Sequence, residues 1–200
     1  ERRADVVLLV NGFPLVIVEA KTPVRQAVSW FDGAKQVHND YERFVPELFA
    51  PNVFSVATEG KELRYGAVRM PIELWGPWRP EEKGETADFA DFEEGKSVKS
   101  VQSVDASSLK TIGEQLRSLL RPEVVLDILA NFTLFATDKK SRRLKIVCRY
   151  QQYEAANLIV ERVLAGAPRK GLIWHFQGSG KSLLMVFAAQ KLRLAPELRN

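Results

Sequence analysis

The chain has 200 residues but only one cysteine and two histidines. A lone thiol, Cys148, excludes an internal disulfide, and so few Cys and His ligands exclude a structural zinc site. No apolar run approaches the ~20 residues needed to cross a bilayer, and no signal-peptide pattern opens the chain. These absences argue against a membrane-spanning or secreted protein and point to a reducing, cytoplasmic setting. Apolar residues are not scarce. They make up 46% of the sequence against 27% charged residues, which is the balance of a chain with a real core rather than of a disordered tail. The length suits one large domain or two small ones.

The net charge of +4, from 29 Lys and Arg against 25 Asp and Glu, says less than its distribution. Residues 139–149 carry Lys139, Lys140, Arg142, Arg143, Lys145 and Arg149 with no acid among them. Residues 81–94 carry Glu81, Glu82, Glu85, Asp88, Asp91, Glu93 and Glu94 against Lys83 alone. The basic run can meet phosphate, and it equally suits a solvated loop. The chain opens on Glu1-Arg-Arg-Ala-Asp5 directly into the apolar run Val6–Val10, and it closes on a strand, a glycine loop and a helix. One such βα unit cannot bury both faces of a parallel sheet, so the reading is a piece of a longer protein.

The pattern predicts an α/β chain. Residues 4–10 and 15–20, split by Asn11-Gly12, read as a hairpin. From Val24 to Phe44 the apolar residues Ala27, Val28, Phe31, Ala34, Val37, Tyr41 and Phe44 recur at helical steps, with Gly33 a weak point. Residues 53–57 read as a strand and 63–68 as its partner, and the Trp- and Pro-rich stretch 71–80 closes this first unit. The acidic stretch 81–106 reads as a linker or insertion, and 107–148 as a helical connector. Within that connector Ser108 is a helix cap, Pro122 a helix start and 144–148 a short strand. Residues 153–164 form an amphipathic helix, 172–176 a buried strand in which Trp174 and Phe176 belong to the core, and 183–194 the last helix.

Two constellations carry chemistry. The first is Asp5 with Glu19 and Lys21, at the outer ends of the hairpin strands. Glu19 and Lys21 are two apart and share a strand face. Two carboxylates meeting there can hold Mg²⁺ through hard oxygens, and the ammonium can orient water and offset phosphate charge. This makes a demand on register. A two-residue Asn-Gly loop alone pairs Asp5 with Val18 and turns it away from Glu19, so the two acids meet only through a three-residue loop or a bulge. The second constellation is Gln177-Gly-Ser-Gly-Lys-Ser182 between an apolar run and a helix. Here backbone N–H groups of Gly178, Ser179 and Gly180 cradle phosphate at a helix N-terminus, Lys181 reaches the outer phosphates, and the Ser182 hydroxyl binds Mg²⁺ of an ATP complex. The first glycine of the full pattern falls on His175. Upstream, Gln152, with Gln151 second, is placed to hydrogen-bond an adenine edge.

Asp5 followed by Glu19-Ala20-Lys21 resembles the PD-(D/E)xK nuclease motif, with Ala4 standing where the motif name carries Pro. The resemblance implies Asp5 and Glu19 as metal ligands and Lys21 as the catalytic lysine. Gln36 with Tyr41 resembles the Gln-x-x-x-Tyr element of RecB-like nucleases, but four residues intervene instead of three. On an α-helix that turns Tyr41 by about 100° from the intended face, so Gln36 enters the site and Tyr41 is assigned to the core. His38 is read as a surface residue. The phosphate loop and Gln152 resemble the corresponding elements of superfamily 2 helicases.

Nuclease first and motor second in one chain resembles the restriction (R) subunit of type I restriction-modification enzymes. That resemblance implies a restriction-endonuclease-like mixed sheet over residues 1–80 and the start of a RecA-like motor over 149–200. It implies Mg²⁺ and ATP as cofactors, double-stranded DNA as substrate, modification and specificity subunits as partners, and cleavage coupled to translocation. The alternative is a helicase or translocase whose N-terminal unit is a non-catalytic DNA-binding adaptor, and a second is a nucleic-acid-binding module without enzymatic activity that uses the basic run with Trp75 and Trp78 as contact surface. A related ATP-dependent nuclease of type III or of a fused type I-like build would share these motifs.

Overall fold

A computed structural model describes residues 3–22, 24, 27–78, 106–137, 141–167, 170–174 and 178–198. Strand β1 (Val6–Val10) and strand β2 (Phe13–Ala20) form the expected hairpin. Asn11 (φ 50°) and Gly12 (φ 83°) both take the left-handed conformation that a two-residue hairpin turn requires. The pairing then slips. Val10 faces Phe13 and Leu9 faces Pro14, but Leu8 faces Val16, so Leu15 is an extra residue on β2. Pro14 has no N–H to give the ladder, which is where a bulge costs least. Beyond the bulge Val6 faces Val18.

β2 runs parallel to β3 (Phe54–Thr58), and β3 pairs antiparallel with β4 (Leu63–Gly66), giving a mixed sheet in the order β1-β2-β3-β4. β2 is a continuous apolar run because both its faces are covered. Ile17 packs with Ala34, Val37, Tyr41 and Ala57 on one face. Val16 and Val18 pack with Phe54, Val56, Tyr65 and Trp78 on the other.

The helix expected over 24–44 begins at Trp30, not at Val24. Ser29 caps it, its hydroxyl accepting from the Phe31 N–H while Asp32 accepts from the Ser29 N–H. Val24 is 85% exposed and lies outside any buried face. The helix is not uniform. Helix α1 (Trp30–Lys35) passes into a π-helical segment (Gln36–Tyr41) and then into α2 (Glu42–Phe44).

The acidic stretch 81–105 lies outside the described residues. Helix α3 (Ala106–Leu119) has Ser108 inside it rather than at its cap. Helix α4 (Pro122–Asn131) starts on its proline as expected. The connector is not wholly helical. A strand at Thr133–Thr137 (β5) pairs antiparallel with β6 (Arg143–Val147). Helix α5 (Tyr150–Ala165) starts three residues earlier than the pattern suggested and stops at Gly166.

Trp75 and Trp78 are 4% and 1% exposed, so neither offers the contact surface of the non-enzymatic binding-module alternative. Trp78 meets the rings of Tyr65, Tyr150 and Tyr153 at centroid distances of 5.7, 5.0 and 5.3 Å and donates its indole N–H to Ser118 Oγ at 3.2 Å. Tyr65 donates to the Cys148 carbonyl at 2.6 Å. These contacts draw the sheet and the helices α3–α6 into a shared core. Helix α6 (Lys181–Leu194) is tied to α4 and α5 by Lys191, which donates to Asp127 at 2.7 and 2.9 Å and to Asn157 at 2.6 Å.

The buried strand expected at 172–176 is not found over the described part, 172–174. Residues 170–174 have no regular structure, and Leu172 and Trp174 are 87% and 88% exposed. A strand needs a neighbour to take its backbone hydrogen bonds, and no described strand lies beside this segment. Trp174 is therefore not core, and Phe176 lies outside the described residues.

Candidate active site and nucleotide loop

The bulge at Leu15 decides the first site. Continuing the register past Val6 and Val18 sets Asp5 opposite Glu19, which is the odd pairing that two cooperating acids demand. Asp5 is exposed, and its Oδ2 accepts from the Ala20 N–H at 2.8 Å. Glu19 is 2% exposed. It shares its face with Ile17 and is overlaid by α1 at Gly33, where an added Cβ would stand 3.4 Å from the Glu19 carbonyl and 3.5 Å from its Cγ. The helix thus packs directly on the strand end beside Glu19, in ordinary van der Waals reach of its side chain.

A carboxylate buried this far needs partners. Lys21 Nζ lies 2.7 Å from Glu19 Oε1 and also donates to Gln36 Oε1. Gln36 passes the contact on, its amide nitrogen donating to the Tyr41 hydroxyl. That hydroxyl lies 2.7 Å from the Arg3 carbonyl and 3.2 Å from Glu19 Oε2. Burial and the Glu19 charge beside it push the Tyr41 phenol up to about 12, so it stays protonated and donating at neutral pH.

Tyr41 is the residue that sequence reasoning missed. The extra residue between Gln36 and Tyr41 rotates the two apart only if the helix is α. In the π-helical segment backbone bonds run from i to i+5, and residues five apart return to one face. The one signal in the sequence was that extra residue itself. His38 is half-buried and its Nδ1 lies 2.9 Å from Asn39 Oδ1, away from this cluster.

No cluster of three or more His, Cys, Asp or Glu fit to hold a metal is present among the described residues. Two facing carboxylates nevertheless fit Mg²⁺, which is commonly held by one or two carboxylates, keeping its waters and taking substrate phosphate oxygens for the rest.

In the second site Gly178 and Gly180 take φ of 86° and 81° on either side of the buried Ser179, and Lys181 opens α6. Lys181 and Ser182 are exposed at the helix start, while Gln177 and His175 lie outside the described residues. Gln152 is 3% exposed and is spent within the chain. Its Oε1 accepts from the Arg149 N–H at 2.9 Å, and its Nε2 donates to the Ser179 and Gly180 carbonyls at 3.3 and 3.2 Å. A side chain on Gly180 would meet that nitrogen at 2.3 Å. Gln151, the second choice for adenine, is half-buried one residue earlier on α5.

Comparison with known proteins gives this geometry its context. Residues 1–73 match the family described as type I restriction enzyme R protein N terminus, and residues 151–200 match the SWI2/SNF2 ATPase family. The type I restriction enzyme HindI endonuclease subunit of Haemophilus influenzae is 31% identical over 100% of this chain and 18% of its own length. Two putative type I restriction enzyme endonuclease subunits of Methanocaldococcus jannaschii, MjaVIIP and MjaVIIIP, are each 30% identical over 94% and 93% of the chain and 16% of their own length. The chain thus spans less than a fifth of these curated relatives. With the nuclease-like pattern at one end, the ATPase match at the other and identity sustained between them, this chain belongs to the endonuclease (R) subunits of type I restriction enzymes and corresponds to their N-terminal region.

Proposed function

We propose that residues 1–80 form the nuclease of an ATP-dependent restriction endonuclease, with Asp5, Glu19, Lys21 and Gln36 at its centre and double-stranded DNA as substrate. The observation that carries this reading is the bulged register, which sets Asp5 opposite Glu19 at the strand end where Lys21 and Gln36 converge. Asp5 and Glu19 would hold Mg²⁺, which when bound polarises a scissile phosphate and acidifies an attached water. Lys21 is aimed by two partners, so its ammonium is positioned to orient the attacking water and to stabilise charge developing on the phosphate. Gln36 fixes Lys21, and Tyr41 fixes Gln36.

Residues 149–200 we read as the start of a RecA-like motor. The paired left-handed glycines beside Ser179, at the mouth of α6, support it as a cradle for the phosphates of ATP. Lys181 would meet the outer phosphates and Ser182 the accompanying Mg²⁺. Gln152 braces the loop in the described conformation, so reading adenine requires it to exchange those bonds. In the whole protein this unit drives translocation alongside modification and specificity subunits in the cytoplasm. The domain limits then follow as nuclease 1–80, linker 81–106, connector 107–148 and motor 149–200.

The test is Lys21→Ala in the full-length subunit assembled with its partners. Cleavage of DNA falls by about 100-fold or more while ATP hydrolysis persists. Cleavage at the wild-type rate would return the N-terminal unit to the role of a passive adaptor.

A further inference from the structure

A cleft with a cavity of about 260 Å³ lies between the nuclease unit and the β5–β6 hairpin. It is separate from both sites described above. Its floor includes Phe49 and Val68. Its walls present Arg69 from the loop after β4, and Phe135 and Arg143 from the hairpin. The hairpin register explains the second wall. Phe135 faces Lys145 and Thr137 faces Arg143, so these four side chains share one sheet face. Lys145 is a strut, its ammonium held on the Asn52 carbonyl. Arg143, one step nearer the turn, is exposed, and so is Arg69. Phe135 is 70% exposed, a large apolar ring left in water in a cleft that Arg69 and Arg143 also line.

One acid, Glu42, also lines the cleft, but it is turned into the wall. Its Oε2 accepts from the Arg69 N–H at 2.9 Å, and its Oε1 is out of reach of water. The cleft therefore sets the exposed cations Arg69 and Arg143 and the tied-down Lys145 against one carboxylate, an excess of positive charge beside an aromatic face. The volume admits a base or a phosphate, and a duplex is too wide for it.

We infer that this cleft binds a single-stranded segment of DNA, with phosphates on Arg69 and Arg143 and a base stacked on Phe135. Guanidinium groups suit phosphate through paired N–H donors, and an exposed aromatic ring supplies stacking that tolerates any base. The inference rests on the reading that DNA is the substrate, and it adds a site that holds an unpaired strand beside the nuclease.

The experiment measures binding of a fluorescent dT20 oligonucleotide to the full chain by anisotropy over a salt series. Arg143→Ala, Phe135→Ser and Arg69→Asn are compared, asparagine being chosen because Arg69 sits at φ 60°, a conformation asparagine tolerates. Each variant is expected to weaken binding about 5- to 10-fold, and the Arg69/Arg143 double variant to lower the salt slope by about 1.4. Excess AMP competes weakly if the site reads a strand, whereas equal competition by mononucleotide overturns it. Unchanged affinity in all three variants, or no binding by the wild type, also overturns it. Lys21→Ala in the assembled full-length subunit tests the other reading: cleavage undiminished in that variant sinks the nuclease assignment without touching the cleft, whose test is the loss of dT20 affinity in the Arg69, Phe135 and Arg143 variants.

Discussion

At the residue scale the candidate nuclease centre is a chain of four polar side chains that satisfy one another, Glu19 and Tyr41 buried and Lys21 and Gln36 reaching partly into solvent. Glu19 tolerates burial because Lys21 neutralises it and Tyr41 stands against its second oxygen. Tyr41→Phe removes a donor at a buried junction and strips Gln36 of the oxygen it donates to. The expected cost is about 1–2 kcal/mol, read as a lower denaturant midpoint, together with reduced cleavage because Gln36 no longer holds Lys21 in place. An unchanged midpoint would mean that the phenol is not the support assigned to it. Much of this centre was legible in the residues. Asp5, Glu19 and Lys21 are recognisable by type and spacing, and even the need for a bulge follows from counting across the hairpin. Tyr41 was not legible, because its orientation depends on the hydrogen-bonding pattern of the helix that carries it.

At the element scale that helix is the informative piece. Six residues, Gln36–Tyr41, are π-helical, and the wider turn absorbs one residue more than an α-helix would need to bring Gln36 and Tyr41 to one face. Deleting His38 should let the segment relax to a continuous α-helix while leaving glutamine and tyrosine four apart on the same face. The deletion variant is expected to keep its cleavage activity within a few-fold and to melt no lower than the parent. Loss of activity with the fold intact would show that the π turn does more than restore register. The β5–β6 hairpin was half visible. Residues 144–148 read as a strand, but its partner Thr133–Thr137 is short and follows directly on α4, so nothing local marks where one element yields to the other. Residues 172–174, where apolar composition promised the start of a buried strand, are irregular with Leu172 and Trp174 exposed, for the converse reason that burial requires neighbours.

At the scale of the whole molecule, Trp78 joins the sheet to the helices. Trp78→Ala is expected to cost about 3–5 kcal/mol, seen as a loss of denaturant midpoint by circular dichroism. Because Trp78 touches Tyr65 on the sheet and both Tyr150 and Tyr153 on α5, that loss should appear together in near-UV signals from both units. Lys145 pins the hairpin to the nuclease unit from a partly desolvated position, and burial lowers its pKa from 10.5 to about 8. The charged form is therefore penalised in the folded state. The penalty is fully present below pH 8, and it fades as pH rises from about 8 towards 10.5, where the unfolded chain still binds the proton and the folded chain does not. Urea midpoints of the wild type should gain on those of Lys145→Met across that window. Parallel curves would show that the amine is not desolvated in solution.

The sequence by itself determined the hairpin with its demand for an odd register, the glycine phosphate loop and the kinship with restriction endonuclease subunits, because each is written in residues close together along the chain. The tertiary structure alone decided that Tyr41 joins Gln36, that Trp75 and Trp78 turn inward, and that Arg69 and Arg143 face one cleft. The first depends on the hydrogen-bonding pattern of the helix that carries both residues, and the others on which face an element presents to partners distant in sequence, and no local pattern of side chains specifies either.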